Sequence, residues 1–129
     1  MQHTVSYPVY YEDTDCLGVV YYANYFKFLE RGRTEYLGAH GHSVAALNGA
    51  GYLLVVHSVN ATFRTGARLG DRLDVVSTFA VTSPYRGRFG QRIERQGELI
   101  VDATVDVVCL DQSQTLIELP APLRELGSA

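Results

Sequence analysis

The sequence predicts an α+β fold in which one long helix lies against one face of an antiparallel sheet. Three observations carry this prediction. A single long helical pattern is followed by four strand-like segments, and one helix cannot cover both faces of a parallel sheet. No linker, repeat or low-complexity tract divides the 129 residues. We therefore expect one domain, residues 1–129.

The amino-terminal third contains one strand and two helices. Alternating Val5, Tyr7, Val9 and Tyr11 predict a strand from about Thr4 to Tyr11. From about Tyr21 to Leu37, apolar residues recur at intervals of three and four, which is typical of an amphipathic helix. Gly38 and Gly41 supply a stop signal, and a shorter helix is expected over Ser43 to Asn48.

The rest of the chain has strand patterns. Val, Leu and Phe dominate from Tyr52 to Arg64, and alternation favours further strands around Leu73–Val81, Phe89–Ile93 and Val101–Leu110. The residues Arg95-Gln96-Gly97-Glu98 indicate a hairpin turn. Pro120 and Pro122 are expected to end regular structure.

Composition and charge exclude several classes. The chain is 47% hydrophobic and 19% charged, which is typical of an ordinary globular protein. A net charge of −3 gives no electrostatic reason to expect nucleic acid. Two cysteines make no disulfide framework, no signal peptide is evident, and no apolar run is long enough for a membrane span. The default expectation is a cytoplasmic protein.

The most unusual segment runs from Tyr11 to Tyr25. Glu12, Asp13 and Asp15 fall within four residues, directly before the apolar start of the helix. Carboxylates at that place are favoured by the helix dipole, so one of them could simply cap the helix. Alternatively, the helix start stabilises negative charge on a substrate carbonyl, with one carboxylate beside it.

This segment resembles the 4-hydroxybenzoyl-CoA thioesterase family, most closely its branch of Tol–Pal-associated acyl-CoA thioesterases. Members carry a tract very like Tyr-Glu-Asp-Thr-Asp-x-x-Gly-Val-Val-Tyr, followed by a helix similar to residues 28–35. The likeness continues through Ala61-Thr62-Phe63, Gly70-Asp71, Arg92 and Val107-Val108-Cys109. It implies a hotdog fold, a curved antiparallel five- to six-stranded sheet wrapped around one long central helix. It also implies hydrolysis of an acyl-CoA to free acid and CoA.

The resemblance further implies the site residues. Asp15 is the catalytic carboxylate, as nucleophile or as general base, and the backbone N–H of Tyr22 binds the oxyanion. Substrate contacts are expected from Val20, Tyr21, Asn24 and Tyr25 around the helix start. Arg86 and Arg88 lie where family members carry basic residues near the nucleotide of CoA; the alternative is a loop of solvated arginines. The Tol–Pal branch commonly has histidine where this chain has Tyr22, which puts a side-chain role there in doubt.

Other readings of the sequence remain open at this point. Cys16 could be a nucleophile, although no histidine lies near it in sequence. His40 and His42 make a weak metal pair, and no metal, flavin or nucleotide cofactor is indicated beyond the CoA of the substrate.

Two rival functions are a hotdog hydratase or dehydratase and a non-catalytic acyl-thioester binder. A hydratase usually needs a histidine paired with a carboxylate on the central helix, and this helix has none. An exposed sheet edge predicts a homodimer or homotetramer, with sites built from both subunits as in the family. Peripheral association with an envelope complex is compatible with the sequence.

Overall fold

A computed structural model describes residues 1–128. The helices are α1 (Tyr25–Ala39), α2 (Val44–Gly49) and α3 (Ala121–Ser128). The strands are β1 (His3–Pro8), β2 (Leu53–Phe63), β3 (Arg72–Ser83), β4 (Arg86–Arg95), β5 (Glu98–Leu110) and β6 (Leu116–Ile117). Short 3-10 turns cover Tyr11–Asp13 and Tyr22–Asn24. Within residues 1–128, no helix is long and apolar enough to cross a lipid bilayer.

The six strands form one antiparallel sheet. Five of them follow the order β1-β3-β4-β5-β2, and β6 adds a short pairing to β5. The predicted hairpin between β4 and β5 is confirmed, with Arg95 opposite Glu98 and left-handed φ angles of 50° at Gln96 and 82° at Gly97. Such angles are typical of a two-residue turn whose twist matches its strands. The predicted α+β architecture is therefore confirmed.

The core lies between α1 and one face of the sheet. Phe28 and Leu29 of α1 are fully buried and belong to one cluster with Val75, Ile93 and Val101 of the strands. A second cluster joins the end of α1 to α2, α3 and the strand residues Phe89, Val105 and Val107. Helix and sheet thus bury two apolar clusters between them, as an amphipathic helix requires.

The helix lies very close to the sheet at Gly32. A Cβ atom on Gly32 would lie 2.4 Å from Cγ1 of Val75. Beside it, the buried amide of Gln91 donates to the carbonyl of Leu29 at 2.9 Å and to Oγ of Ser77 at 3.0 Å. Glycine is therefore required for the close contact, and the polar groups at the contact are satisfied.

Three sequence predictions change at their boundaries or fail. The first strand ends at Pro8 rather than Tyr11, and a 3-10 turn replaces the first turn of the predicted helix. Pro120 and Pro122 do not end regular structure, because α3 begins between them. Pro122 stands in the first helical turn, where a missing N–H costs nothing, and the carbonyl of Pro120 accepts from Leu123 at 2.9 Å.

Strand β2 is an unprotected edge of the sheet. It has a partner on one side only, and Val55, Val56, Val59 and Phe63 are each 40–44% exposed. Natural proteins normally cover such an edge.

Candidate active site

The acidic segment before α1 folds into a closed loop. Thr14 bridges to Val20, the N–H of Asp15 donates to the carbonyl of Val19 at 2.9 Å, and Gly18 adopts a φ of +77°. A second loop holds it from outside, because the N–H of Val20 donates to the carbonyl of Ala67 at 2.8 Å. The loop therefore presents its side chains from a fixed backbone.

Within this loop Asp13 and Asp15 have different roles. The carboxylate of buried Asp13 accepts from the N–H of Tyr10 at 2.8 Å, and its carbonyl accepts from Tyr21 N–H at 3.1 Å and from the Asn24 amide at 3.0 Å. Asp13 thus ties the loop to the helix start. Asp15 is half-buried, and its Oδ1 accepts from Leu17 N–H at 2.8 Å. Among residues 1–128, Oδ2 of Asp15 accepts no hydrogen bond.

The start of the helical segment has no side-chain cap. Neither Tyr21, which precedes the 3-10 turn, nor Asn24, which precedes α1, accepts a hydrogen bond through its side chain from the helix backbone. Asp15 is therefore not the cap that the simpler interpretation expected. The first N–H groups of a helical turn have no acceptor within it, and the N–H of Tyr22 has none elsewhere in the described chain. A donor of this kind, at the positive end of a helix dipole, suits an oxyanion.

Aromatic rings cover the surface between this helix start and the sheet edge. Phe63, at the end of β2, stacks edge-on against Tyr22 with ring centroids 5.7 Å apart and against Phe26 at 6.2 Å. Tyr22 itself is 56% exposed. In the sequence, Phe63 is part of the family resemblance and has no predicted role in the site. Its position at the end of the edge strand β2 brings it beside Tyr22.

The other predicted contact residues divide into two groups. Tyr21 is half-exposed, and Asn24 uses its amide to bind Asp13. Val20 and Tyr25 are 5% and 2% exposed, and the N–H of Ala67 donates to the Tyr25 hydroxyl at 3.0 Å. Burial accordingly raises the pKa of Tyr25. These two side chains are buried beneath the surface of the site in the described chain.

Arg86 and Arg88 lie on strand β4, on the sheet face opposite α1. Arg88 donates to both carboxylate oxygens of Asp106, at 2.7 Å and 3.0 Å, whereas Arg86 remains 4.0 Å from the same group. The hydrogen bonds from Arg88 hold the pKa of Asp106 below its usual value. Clefts of about 450 and 370 Å³ flank this group, one lined by Arg88 and the other by Arg86. Arg88 is thus neutralised by an internal carboxylate, and Arg86 is the more available of the two.

With this geometry established, the comparison with known proteins places the chain in a family. The thioesterase-like superfamily matches residues 9–126, which is nearly the whole chain. The protein belongs to this superfamily, and the predicted family and hotdog fold are confirmed.

Particular relatives fit the same description. The acyl-CoA thioester hydrolase YbgC of Escherichia coli O6:H1 is 40% identical over 104 residues, covering 80% of this chain and 78% of that one. The acyl-CoA thioesterase YbgC of Haemophilus influenzae is 38% identical over 109 residues, with 82% and 80% covered. The crystal structure of a 1,4-dihydroxy-2-naphthoyl-CoA thioesterase from Synechocystis superposes with a TM-score of 0.87, at 25% identity, over 95% of this chain and 92% of that one.

Proposed function

We propose that this protein is an acyl-CoA thioesterase, which hydrolyses an acyl-CoA to a carboxylic acid and free CoA with Asp15 as the catalytic carboxylate. One observation carries the proposal: within residues 1–128, Asp15 keeps one carboxylate oxygen unbonded in a loop that Asp13 ties to the helix start, where the N–H of Tyr22 has no acceptor. The names of the curated relatives support the same reaction.

The chemistry follows from these two groups. The thioester carbonyl oxygen binds at the N–H of Tyr22, and negative charge develops on it when a nucleophile attacks the carbonyl carbon. The free oxygen of Asp15 either attacks directly, forming an anhydride that water then hydrolyses, or removes a proton from an attacking water. In both routes the C–S bond breaks and the CoA thiolate leaves, taking up a proton from solvent.

The rest of the CoA would extend along the protein surface towards β4. The cleft beside Arg86 also contains Ser83, Tyr85 and His57, which supply hydrogen-bond donors for a phosphate. Arg88 serves this site by holding Asp106, so that Arg86 carries the uncompensated positive charge. We expect Arg86→Ala to raise KM for acyl-CoA several-fold without changing kcat.

A second copy of the chain completes the site in this proposal. Edge-to-edge pairing of β2 with β2 would cover its exposed valines and would bring the aromatic group at Phe63 beside the other copy. We expect Val59→Glu, on the open edge, to be monomeric by light scattering. It should also release no thiol from acyl-CoA. Thr4→Glu, on an exposed position of the opposite edge strand β1, is the control and should remain oligomeric and active. A fully active monomer would contradict this part of the proposal.

The reaction itself is tested by following two products. Purified protein is given a panel of saturated and unsaturated acyl-CoAs, and free thiol release and loss of enoyl absorbance are measured together. Thiol release with kcat well above background is expected. Loss of enoyl absorbance without thiol would favour the hydratase, and tight binding with neither product would favour the binder. The tetramer, the cytoplasmic location and the envelope association expected from the sequence stay predictions.

A further inference from the structure

Arg33 lies in the third turn of α1 and lines a small cavity between that helix and the sheet. The cavity has a volume of about 160 Å³ and opens beside the edge strand β2. Glu30, Arg33 and Thr34 of α1 form the polar part of its lining. The rest is apolar and includes Leu37, Val44, Leu54 and Val56. A cation therefore stands in a mostly hydrocarbon cavity, which is the usual composition of a ligand site.

The charge of Arg33 has no counter-ion among residues 1–128. Its Nη1 donates to Oε1 of Gln91 at 3.1 Å, and no carboxylate lies within 4.0 Å. The carboxylate of Glu30 instead accepts from Oγ1 of Thr34 at 2.9 Å. Burial lowers the pKa of Arg33, and Glu30 offsets this only in part. The other donors of this partly desolvated guanidinium bind no residue within 1–128, and they are available to an anionic oxygen in the cavity.

The cavity and the Tyr22 helix start lie near opposite ends of strand β2. Phe63 of β2 packs beside Tyr22, whereas Leu54, near the other end of the strand, lines the cavity with Leu37. A two-fold axis through paired β2 strands exchanges these ends. In the proposed β2–β2 dimer, on which this inference also rests, the cavity of one copy would face the aromatic surface and the Asp15 loop of the other.

We propose that this cavity holds the acyl group of the substrate and that Arg33 binds an anionic oxygen at its far end. The preferred substrates are then short acyl-CoAs whose chain ends in a carboxylate, with the thioester at Asp15 of the opposite copy. The inference rests on the proposed thioesterase function and narrows its substrate class. The small volume of the cavity favours short chains.

A matched pair of substrates tests this directly. Glutaryl-CoA and 5-methylhexanoyl-CoA have the same shape, but the first ends in a carboxylate and the second in two methyl groups. The wild-type protein should prefer glutaryl-CoA in kcat/KM, with spontaneous hydrolysis subtracted. A hydrogen bond to a charged group implies that Arg33→Met lowers kcat/KM for glutaryl-CoA by about 10- to 100-fold. The value for 5-methylhexanoyl-CoA should change by less than about threefold.

Arg31→Met is the control, because Arg31 is an exposed arginine on the same helix that lies over the rings of Tyr7 and Phe28, outside the cavity. It should leave the ratio of the two substrates unchanged. A phenolic acyl-CoA serves as a third arm. Its hydroxyl, with a pKa of about 10, is mostly neutral at pH 7, so Arg33→Met should lower its kcat/KM less than that of glutaryl-CoA, and an equal loss would contradict recognition of an anionic oxygen.

Two results would overturn the inference while leaving the thioesterase intact. Equal losses for both substrates in Arg33→Met, together with dissociation of the oligomer, would assign the counter-ion to a carboxylate of the other copy. An unchanged preference with full activity would show that Arg33 does not contact the acyl group. Absence of thiol release from every acyl-CoA by the wild-type protein would instead reject the thioesterase function itself.

Discussion

The start and the middle of α1 meet the rest of the molecule in opposite ways. At its middle, Gly32 lies so close to the sheet that no Cβ fits, and Gln91 satisfies the neighbouring polar groups. Just before its start, the N–H of Tyr22 and one oxygen of Asp15 have no hydrogen-bond partner in the described part of the chain, residues 1–128, and aromatic rings are exposed. One part of the helix is fully packed and the other leaves its polar groups available.

The middle of the helix therefore contributes to stability, and the region at its start is available for chemistry. The tight contact in the middle fixes where the helix lies on the sheet, and Asp13 fixes where the acidic loop lies on the helix start. A donor that must stabilise charge in a transition state works best when its position is set beforehand. Because the packed region fixes the position of the helix, the polar groups before its start can lack hydrogen-bond partners and still be held in place.

Apart from the loss of the Asp15 carboxylate, the largest effect is expected from removal of the Tyr22 N–H. Tyr22→Pro removes that donor, and proline fits there because Tyr21 has an extended backbone (φ −63°, ψ 128°) and Tyr22 is the first residue of its turn. Tyr22→Ala removes the ring and keeps the N–H. We expect kcat of Tyr22→Pro to fall about 10²- to 10³-fold below that of Tyr22→Ala. Equal kcat values would show that the helix start binds no oxyanion.

Two glycines of α1 test the packed region. We expect substitutions at them to change the free energy of unfolding in opposite directions, by less than the effect at Tyr22. Gly32→Ala forces a Cβ against Val75, so the free energy of unfolding should fall by about 1–3 kcal/mol. Gly38→Ala, on the same helix with nothing within 4 Å, should gain about 0.5–1 kcal/mol because alanine favours the helix. Urea denaturation measures both. Equal stabilisation by the two changes would contradict the close approach of helix and sheet.

The smallest expected effect is at Asp106. Arg88 donates to both of its carboxylate oxygens, whereas Asp15 accepts a hydrogen bond at one oxygen. Because the folded protein lowers the pKa of Asp106, its carboxylate adds stability above the unfolded pKa of about 4 and loses it as the pH falls through the lower folded value. Asp106→Asn should therefore be less stable than the wild type at pH 7, and the gap should shrink below about pH 4. Its kcat should stay close to the wild-type value. A gap that widens in acid would contradict this account.

Local patterns in the sequence were enough to predict most of the fold. The three- and four-residue spacing predicts α1, the Val, Leu and Phe content predicts β2, alternation predicts β3, β4 and β5, and Gln96-Gly97 predicts the hairpin. Each of these patterns depends on nearby residues alone. The irregular acidic motif was specific enough to predict the family. Asp15 and Tyr22 came from that resemblance, and their roles stay predictions.

Features that depend on distant contacts were missed. Two prolines were interpreted as a stop, yet Leu123 of α3 is buried against the second core cluster, and that packing stabilises a helix that Pro122 can begin. The three- and four-residue spacing places Arg33 on the apolar face of the predicted helix, but it predicts no cavity there. The cavity exists only because Leu54 and Val56 of β2 return beside Arg33. Likewise, Val20 and Tyr25 could not be told apart from exposed neighbours, because burial depends on how the Ala67 loop crosses them.

The most direct test compares Asp15→Asn with Glu12→Gln, which removes an exposed carboxylate from the same acidic segment. Thiol release from acyl-CoA is measured for both, with circular dichroism and thermal unfolding to confirm that each variant is folded. We expect kcat to fall about 10²- to 10⁴-fold for Asp15→Asn and to stay near the wild-type value for Glu12→Gln. A folded Asp15→Asn protein with undiminished turnover would contradict the central claim.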